Sequence, residues 1–224
     1  MNVVITGGSK GIGRATVIRF IKDGHKVCTC SRSEEGLKTL WEEFGHTGKL
    51  FLKRCDVSER SSAKEFVYFC AEKLGGFDVL INNAGILGVR ESIQNYPEDI
   101  WEEVIRTNIN GTFYVTKYAL TFMKERGVII NFSSGVGKRP APYWGAYAVS
   151  KFGIEGFSLL LAHELKDRGI RVYAFNPGAT RTQMRSSAYP QEDPMSLKPP
   201  EKVADFIIRL INSHLPSGSV DYQE

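Results

Sequence analysis

The hydrophobic residues of this 224-residue chain fall into short, β-branched runs that alternate with longer segments of helical periodicity. Strand-like runs occupy 2–6, 26–31, 49–55, 77–81, 127–132 and 170–175. Helical patterns occupy 14–23, 34–44, 143–168 and 201–213, together with a segment that starts at Pro97. Strands that alternate with helices predict an α/β fold with a parallel sheet. The length suits one domain, residues 1–224, and is too short for a second domain of ordinary size.

The charge and the cysteines narrow the classes of partner. The 29 basic and 25 acidic residues leave a net charge of only +4, without a run of like charge, so no nucleic-acid partner is expected. The four cysteines lack metal-ligand spacing and lie in apolar segments, which predicts buried reduced thiols and no metal site. No apolar run could span a bilayer, and a strand from Asn2 leaves no room for a targeting peptide. We therefore expect a cytoplasmic protein with a small-molecule partner and no membrane partner.

A tyrosine and a lysine lie four residues apart, at Tyr147 and Lys151, in the long helical segment 143–168. This spacing places both side chains on one helix face, where an ammonium group would lower the pKa of the tyrosine. Such a pair can work as a general acid. The spacing alone is weak evidence, because it is common on exposed helices. Ser134 strengthens the catalytic interpretation of this pair, because a hydroxyl at the end of the strand 127–132 would reach the same edge of the sheet.

A glycine-rich turn, Thr6–Gly13, joins the first strand to the first helix. Such turns let backbone N–H groups at a helix N-terminus bind phosphate, although the same residues could form only a tight turn. The glycines at 7, 11 and 13 do not have the G-x-G-x-x-G spacing of the common dinucleotide motif. Small residues also follow the strand 77–81, as Asn82-Asn83-Ala84-Gly85. They could admit a cofactor or be ordinary turn residues.

Several motifs, taken in order along the chain, resemble the short-chain dehydrogenase/reductase family. They are Thr-Gly-x-x-x-Gly-x-Gly, Asn-Asn-Ala-Gly, Asn108 with Gly111, Ser134, Tyr147 with Lys151, and Pro177-Gly178. The resemblance implies a single-domain, Rossmann-type doubly wound parallel sheet in the order 3-2-1-4-5-6, with helices on both faces. Because the family's usual Asp-Gly tail is missing, a seventh strand near 218–222 is left open.

The resemblance also assigns roles to the matching residues. Tyr147 would donate a proton to a carbonyl oxygen that Ser134 also bonds, while a nicotinamide supplies a hydride. Lys151 would hold the nicotinamide ribose, and Asn108 would anchor a water of the proton relay. Asp56 would lie against the adenine, although it could instead cap the following helix. The implied cofactor-binding residues are Gly7, Ser9, Lys10, Gly11, Ile12, Gly13, Ser31, Arg32, Asp56, Val57, Asn83, Ala84, Gly85, Tyr147, Lys151, Pro177, Gly178, Thr180 and Thr182.

Arg32 is the first residue after the second predicted strand, and this position selects the cofactor. An acidic residue there would accept bonds from the free ribose hydroxyl of NAD, whereas an arginine can pair with the 2′-phosphate of NADP. Lys10, in the glycine turn, is a second cation that could approach this phosphate. Alone, Arg32 could be a solvated loop residue. Two cations and the missing acid together predict NADP(H) more than NAD(H).

Two other functions share parts of this pattern. An NADP(H)-sensing regulatory protein of the same fold would be expected to have lost the tyrosine or the lysine. A nucleotide-sugar epimerase or dehydratase would have a longer C-terminal domain and another glycine spacing. We therefore predict an NADP-dependent oxidoreductase that acts on CH–OH groups. Its substrate stays open, because acyl chains, sugars, steroids and small ketones all fit.

Two surfaces complete the interpretation. The polar segment 183–200 predicts a lid over a partly apolar pocket, although its apolar residues could also pack in a core. The segment 143–168 is apolar nearly all round and must be covered on two sides. A second copy of the molecule, as a dimer or tetramer, or a loop of the same chain could cover the side away from the sheet. The side chains that favour a partly apolar pocket under the predicted lid 183–200 are Tyr143, Trp144, Met184, Tyr189 and Met195.

Overall fold

The computed structural model describes residues 1–139 and 141–223, which form a seven-stranded parallel sheet covered by helices. The strands are β1 (Asn2–Thr6), β2 (Lys26–Ser31), β3 (Leu50–Arg54), β4 (Phe77–Asn82), β5 (Met123–Phe132), β6 (Arg171–Asn176) and β7 (Gly218–Asp221). Their order in the sheet is β3-β2-β1-β4-β5-β6-β7. The predicted Rossmann-type order is confirmed, and the seventh strand that the sequence left open is present.

The helices follow the strands in the expected alternation. They are α1 (Gly11–Lys22), α2 (Glu34–Phe44), α3 (Arg60–Leu74), α4 (Glu98–Ile105), α5 (Gly111–Ala119), α6 (Gly145–Glu164), α7 (Gln183–Ala188) and α8 (Pro200–Asn212). A π-helical turn, Arg106–Asn110, joins α4 to α5. Throughout the two described ranges, every helix is too short or too polar to cross a membrane.

Both faces of the sheet are buried, because neighbouring residues of a strand point to opposite sides. On one face, Val3 and Ile5 of β1 share a hydrophobic cluster with Phe20 of α1 and Ile207 of α8. On the other face, Val4 belongs to a second cluster with buried side chains of α3, α5 and α6. Burial on two faces explains why the strands read as nearly continuous hydrophobic runs.

Some predicted boundaries are wrong. Helix α1 begins at Gly11 and not at Arg14, because the last glycines of the turn already form its first turn. Strand β5 begins at Met123, well before 127, because the exposed, charged residues 124–126 gave no strand pattern. Helix α6 ends at Glu164, and a 3₁₀ turn follows up to Arg168. The segment 183–200, predicted as a lid, contains α7 and a 3₁₀ turn at Pro194–Ser196.

Candidate active site

The carboxyl ends of β1, β4, β5 and β6 meet along one edge of the sheet. The strand order reverses between β1 and β4, and in open parallel sheets the loops leave a ligand-binding crevice at such a reversal. Beside β5 and β6 this crevice contains a cleft of about 300 Å³. Residues predicted for the site that line it are Ile12, Ser134, Tyr147, Pro177, Gly178, Thr180 and Thr182.

Tyr147 and Ser134 lie beside each other in this cleft, where the Ser134 hydroxyl is near enough to influence the pKa of the phenol. Tyr147 lies in the first turn of α6 and is 9% exposed, and Ser134 lies just beyond the end of β5. Burial raises the pKa of Tyr147 to about 12, and the neighbouring Ser134 hydroxyl opposes only part of this rise. The phenol is therefore protonated at neutral pH, as a proton donor must be.

Lys151 lies one helical turn after Tyr147, with its Nζ 5.4 Å from the centre of the tyrosine ring. The ammonium group donates a 2.6 Å hydrogen bond to the carbonyl oxygen of Phe132, at the end of β5. Burial lowers the pKa of Lys151 to about 8. The expectation that Lys151 lowers the pKa of Tyr147 is wrong for this structure, because burial of the phenol dominates and raises that pKa.

Asn108 lies in the π-helical turn between α4 and α5, and its side chain is almost completely buried. Its Oδ1 accepts the backbone N–H of Ile86 at 2.9 Å, and its Nδ2 donates to the carbonyl oxygen of the same residue at 2.9 Å. A further bond from Nδ2 reaches Ser150 Oγ at 3.0 Å. Asn108 thus fixes the loop after β4 against α6. The water predicted at Asn108 stays a prediction.

The glycine turn is held against the loop that follows β4. Asn83 Nδ2 donates to the carbonyl oxygens of Thr6 and Gly7, both at 3.0 Å. Thr6 Oγ1 accepts the backbone N–H groups of Asn83 at 3.1 Å and Ala84 at 3.0 Å. Side chains would not fit in this contact. A Cβ on Gly7 would lie 2.9 Å from Ala84 Cα, and one on Gly13 would lie 2.2 Å from the oxygen of Gly7.

The start of α1 fits a phosphate group. Lys10, which precedes the helix, has extended backbone and makes no capping hydrogen bond with its side chain, and the first turn contains no acidic residue. The N–H groups of a helix start need an acceptor, and the helix dipole favours an anion there. Gly11 has a φ of 54°, and a Cβ on it would meet only Thr182 of the cleft wall, at 3.4 Å. These features fit a dinucleotide pyrophosphate.

The end of β2 forms the far end of the crevice. Ser9 Oγ donates to Ser31 Oγ at 2.7 Å, which ties the glycine turn to this strand. Gly36 of α2 permits the approach, because a Cβ there would lie 2.7 Å from Ser9 Cβ. Arg32, which follows Ser31, is half exposed, and the sequence places it where the ribose of a dinucleotide is expected.

Arg32 has only long contacts with carboxylates. One guanidinium nitrogen lies 3.5 Å from Glu103 Oε1 and 3.9 Å from Asp56 Oδ2. Most of its N–H donors are therefore open to an anionic ligand. Lys10 Nζ contacts Oε1 of Gln183 in α7 at 3.4 Å, so its approach to the same phosphate stays a prediction.

Asp56 and Val57 follow β3. Asp56 Oδ1 accepts the backbone N–H of Ser58 at 3.0 Å and its hydroxyl at 2.7 Å, which forms a turn before α3. The capping role that the sequence allowed is wrong, because α3 starts after Glu59 and its N-terminus has no side-chain cap. Val57 is buried under the start of α5, where a Cβ on Gly111 would lie 2.9 Å from Val57 Cγ2. Their contact with an adenine stays a prediction.

The turn after β6 forms the wall of the cleft opposite Tyr147. Gly178 has a φ of 66°, and its N–H donates to Asn176 Oδ1 at 3.0 Å. Thr180 Oγ1 donates to the carbonyl oxygen of Gly178 at 3.1 Å. Thr182 Oγ1 accepts the N–H of Arg185 at 3.3 Å as the N-cap of α7. The predicted bond between Thr182 and a carboxamide is not tested by these contacts.

Aromatic rings and guanidinium groups stack where α7 meets the cleft. Arg90, from the loop after β4, lies 5.0 Å from the Trp144 ring and 5.1 Å from the Tyr189 ring. On the other side, Arg185 lies 3.9 Å from the Tyr189 ring and makes a two-point ion pair with Glu192, with both distances 2.6 Å. Sequence reasoning missed both arginines, because neither belongs to a motif.

The apolar pocket predicted from the sequence is partly correct. Trp144, Met184 and Tyr189 line the cleft. Tyr143 and Met195 do not belong to its lining, and they are 58% and 75% exposed. Within the described part of the chain, no group of three or more His, Cys, Asp or Glu residues could hold a metal ion.

A doubly wound sheet with a buried, protonated tyrosine and a glycine-rich helix start at its reversal point is the arrangement expected of a dinucleotide-dependent oxidoreductase. The chain belongs to the short-chain dehydrogenase/reductase family, because the family profile described as short chain dehydrogenase matches residues 1–193.

The similar proteins agree with this assignment. The chain is 35% identical over 189 residues to an NADPH-dependent pterin aldehyde reductase of Arabidopsis thaliana, covering 84% of this chain and 78% of that protein. It is 37% identical over 218 residues to the 3-oxoacyl-[acyl-carrier-protein] reductase FabG of Thermotoga maritima, covering 96% and 82%. A short-chain dehydrogenase from Escherichia coli CFT073, solved with NADPH, superposes with a TM-score of 0.92 at 31% identity, covering 99% and 96%. The protein is thus an oxidoreductase with a small-molecule substrate.

Proposed function

We propose that this chain, as one catalytic domain over residues 1–224, transfers a hydride between NADP(H) and a carbonyl or secondary alcohol substrate. The observation that carries the proposal is the placement of Ser134 beside Tyr147 in a cleft walled by Pro177 and Gly178. Two of the similar proteins are named as reductases of an aldehyde and of a 3-oxoacyl group. Both names support a carbonyl substrate.

In the proposed reaction, the bound nicotinamide supplies the hydride. Tyr147 donates its proton to the carbonyl oxygen, and burial keeps this proton in place at neutral pH. Ser134 donates a hydrogen bond to the same oxygen and stabilises the negative charge that develops there. Lys151 holds the ribose hydroxyls and places a positive charge near the phenolate that Tyr147 becomes. Asn108 positions the loop after β4 and anchors a water that returns the proton.

The proposed cofactor site follows the edge of the sheet. The glycine turn would hold the pyrophosphate, residues at the ends of β2, β3 and β4 would hold the adenosine, and the Pro177-Gly178 turn would hold the nicotinamide. The residues proposed to hold it, besides Tyr147 and Lys151, are Gly7, Ser9, Lys10, Gly11, Ile12, Gly13, Ser31, Arg32, Asp56, Val57, Asn83, Ala84, Gly85, Pro177, Gly178, Thr180 and Thr182.

We propose NADP(H) as the cofactor and not NAD(H), because Arg32 follows β2 and has donors open to a phosphate. Three similar proteins support this choice. The Arabidopsis reductase is named as NADPH-dependent, the Escherichia coli protein was solved with NADPH, and a short-chain dehydrogenase of Shigella flexneri was solved with NADP. The Shigella protein has a TM-score of 0.91 at 31% identity and covers 98% of this chain and 95% of its own.

The test is a panel of carbonyl compounds, with NADPH consumption followed by absorbance. The panel should include aldehydes, 3-oxoacyl thioesters, sugars and steroid ketones, and we expect turnover of at least one class. Tight NADPH binding without turnover of any of them would contradict the catalytic proposal. That result would favour the alternative of an NADP(H)-sensing regulatory protein.

We also propose a homo-oligomer in the cytoplasm. Apolar residues of α6 remain exposed, and Phe113 of α5 is exposed as well. A second copy of the chain would bury these side chains, and light scattering in solution would measure the oligomeric state. The four cysteines are unpaired and buried, which suits a reducing compartment. The exposed residues of α6 are Val149, Phe152, Leu159 and Leu160.

A further inference from the structure

The carboxylate of Asp221, the last residue of β7, joins two loops that border the cleft. Its Oδ1 accepts a hydrogen bond from Lys138 Nζ at 2.6 Å and another from Asn176 Nδ2 at 2.8 Å. Lys138 belongs to the loop that begins with Ser134, and Asn176 ends β6 just before the Pro177-Gly178 turn. One oxygen atom therefore connects the segment that holds the catalytic serine with the turn on the opposite wall.

Each of these loops is also fixed at a second point. The amide of Asn176 uses its oxygen to accept the N–H of Gly178 at 3.0 Å, so its nitrogen is directed toward Asp221. The loop after β5 is pressed against α6, where a Cβ on Gly137 would lie 2.8 Å from the backbone of Lys151. Asp221 is thus an additional point of attachment shared by both loops.

We propose that Asp221 is a positioning residue, which sets the distance between Ser134 and the Pro177-Gly178 turn and thereby the fit of cofactor and substrate. This inference rests on the proposed function for its kinetic consequence. Asp221 does not contact the reacting groups themselves, and it acts on them through Lys138 and Asn176. The ammonium group of Lys138 and the Asn176 amide hold the pKa of Asp221 below its usual value, so the carboxylate is charged at neutral pH.

An exposed ion pair alone would contribute little, and the Asp221 side chain is 57% exposed. The effect expected here is on geometry, because two loops share one acceptor and both border the reacting centre. Small displacements of reacting groups cost catalysis far more than they cost stability. We therefore expect Asp221→Ala to change cofactor affinity and turnover more than thermal stability.

The experiment compares Asp221→Ala with Glu125→Ala. Glu125 forms an ion pair of similar exposure with Arg168, at 3.0 Å, on the amino-terminal part of β5 and away from the cleft. We expect Asp221→Ala to raise the dissociation constant of NADPH about fivefold and to lower kcat/KM about tenfold. Glu125→Ala should change neither by more than about twofold. Equal effects of the two substitutions would overturn the inference.

Two substitutions, made singly and together, distinguish a positioning role from a general loosening of the fold. Asn176→Asp alone places two carboxylates opposite each other and should be at least as harmful as Asp221→Ala. Combined with Asp221→Asn, it restores one donor and one acceptor across the same contact. The double variant should recover NADPH affinity to within about threefold of the wild type. If it binds no better than Asn176→Asp alone, Asp221 does not act through Asn176.

Hydrogen exchange tests the positioning without any assumption about the reaction. In Asp221→Ala, the Gly178 N–H and the amides of 134–138 should exchange at least about threefold faster than in the wild type and in Glu125→Ala. Unchanged exchange in these two segments would refute the inference even if the wild type is an active reductase. If these segments exchange faster in Asp221→Ala but the wild type turns over no carbonyl, the result would support the inference and contradict the proposed function.

Discussion

The substitution Arg32→Asp tests the cofactor proposal most directly, because it depends on charge and not on an unknown substrate. A hydrogen bond between an arginine and a phosphate is worth about 1.5–3 kcal/mol. Since the Arg32 side chain is 51% exposed, the lower end of this range applies, which corresponds to roughly a tenfold preference for NADPH over NADH. Lys10 would add to this preference if it approaches the same phosphate.

The structure predicts a larger change in the variant than the loss of this bond. Arg32 stands beside the carboxylates of Glu103 and Asp56, so Arg32→Asp leaves three acidic groups near the proposed phosphate site. Repulsion should then reject the phosphate, while a carboxylate can accept bonds from the free ribose hydroxyls of NADH. We expect the preference to invert. The fold should be unaffected, because the contacts that Arg32 makes in the wild type are long and exposed.

The assay is fluorescence titration of NADPH and NADH against the wild type, Arg32→Asp and Arg209→Asp. Arg209 is exposed on α8, away from the cleft, so its substitution makes the same change in net charge as a control. The wild-type preference should shrink at high salt, because a partly exposed ion pair is screened. Equal dissociation constants for the two cofactors in the wild type at low salt would refute the reasoning. If Arg209→Asp loses as much NADPH affinity as Arg32→Asp, the loss in Arg32→Asp is an effect of net charge and not of a contact with the phosphate.

Three further predictions concern the reacting centre and the glycine turn. Tyr147→Phe should lower turnover to near background while the dissociation constant of NADPH stays within about twofold, and more than about a tenth of wild-type activity would rule out Tyr147 as the acid. Carbonyl reduction should decline above about pH 8, as Lys151 loses its proton, and a flat rate profile up to pH 10 would contradict its role. Because the pKa of Lys151 is lowered, the folded state binds fewer protons than the unfolded chain above about pH 8. The contribution of Lys151 to the free energy of unfolding therefore rises above about pH 8. A decline in the reduction rate in this pH range would not be explained by unfolding. Gly13→Ala should lose NADPH binding and about 1–3 kcal/mol of unfolding free energy in denaturant titrations, because its Cβ would lie 2.2 Å from the oxygen of Gly7. Gly156→Ala in α6, where a Cβ meets nothing within 4 Å, should retain binding, and equal losses in both variants would contradict the steric reason.

The sequence predicts the fold well because the parallel sheet is buried on both faces and each strand is a distinct hydrophobic run. The strand order came from the family resemblance and not from periodicity. The start of β5 was missed, since Lys124 and Glu125 are exposed and Arg126 has a φ of 60°, which no strand pattern indicates. The π-helical turn at Asn108 was not foreseen, because the sequence indicated this residue only through the family motif.

The residues of the candidate site that belong to sequence motifs were predicted, whereas those that depend on contacts between distant segments were not. Ser134 and Tyr147 meet in the cleft, as the order of motifs indicates. The direction of the Tyr147 pKa was wrong, because the sequence shows a neighbouring lysine but not the degree of burial of the phenol. Arg90 and Asp221 act through contacts with distant segments, and such contacts have no signature in a single sequence.

The contact between the glycine turn and the loop after β4 has a consequence for the kinetics of nucleotide capture. Four hydrogen bonds that involve Thr6 and Asn83 close this contact entirely within the protein. The proposed phosphate site is therefore preformed, and binding there should not require the loops to become ordered first. Association is then governed by diffusion and charge, and differences in affinity between nucleotides arise mainly from their rates of escape.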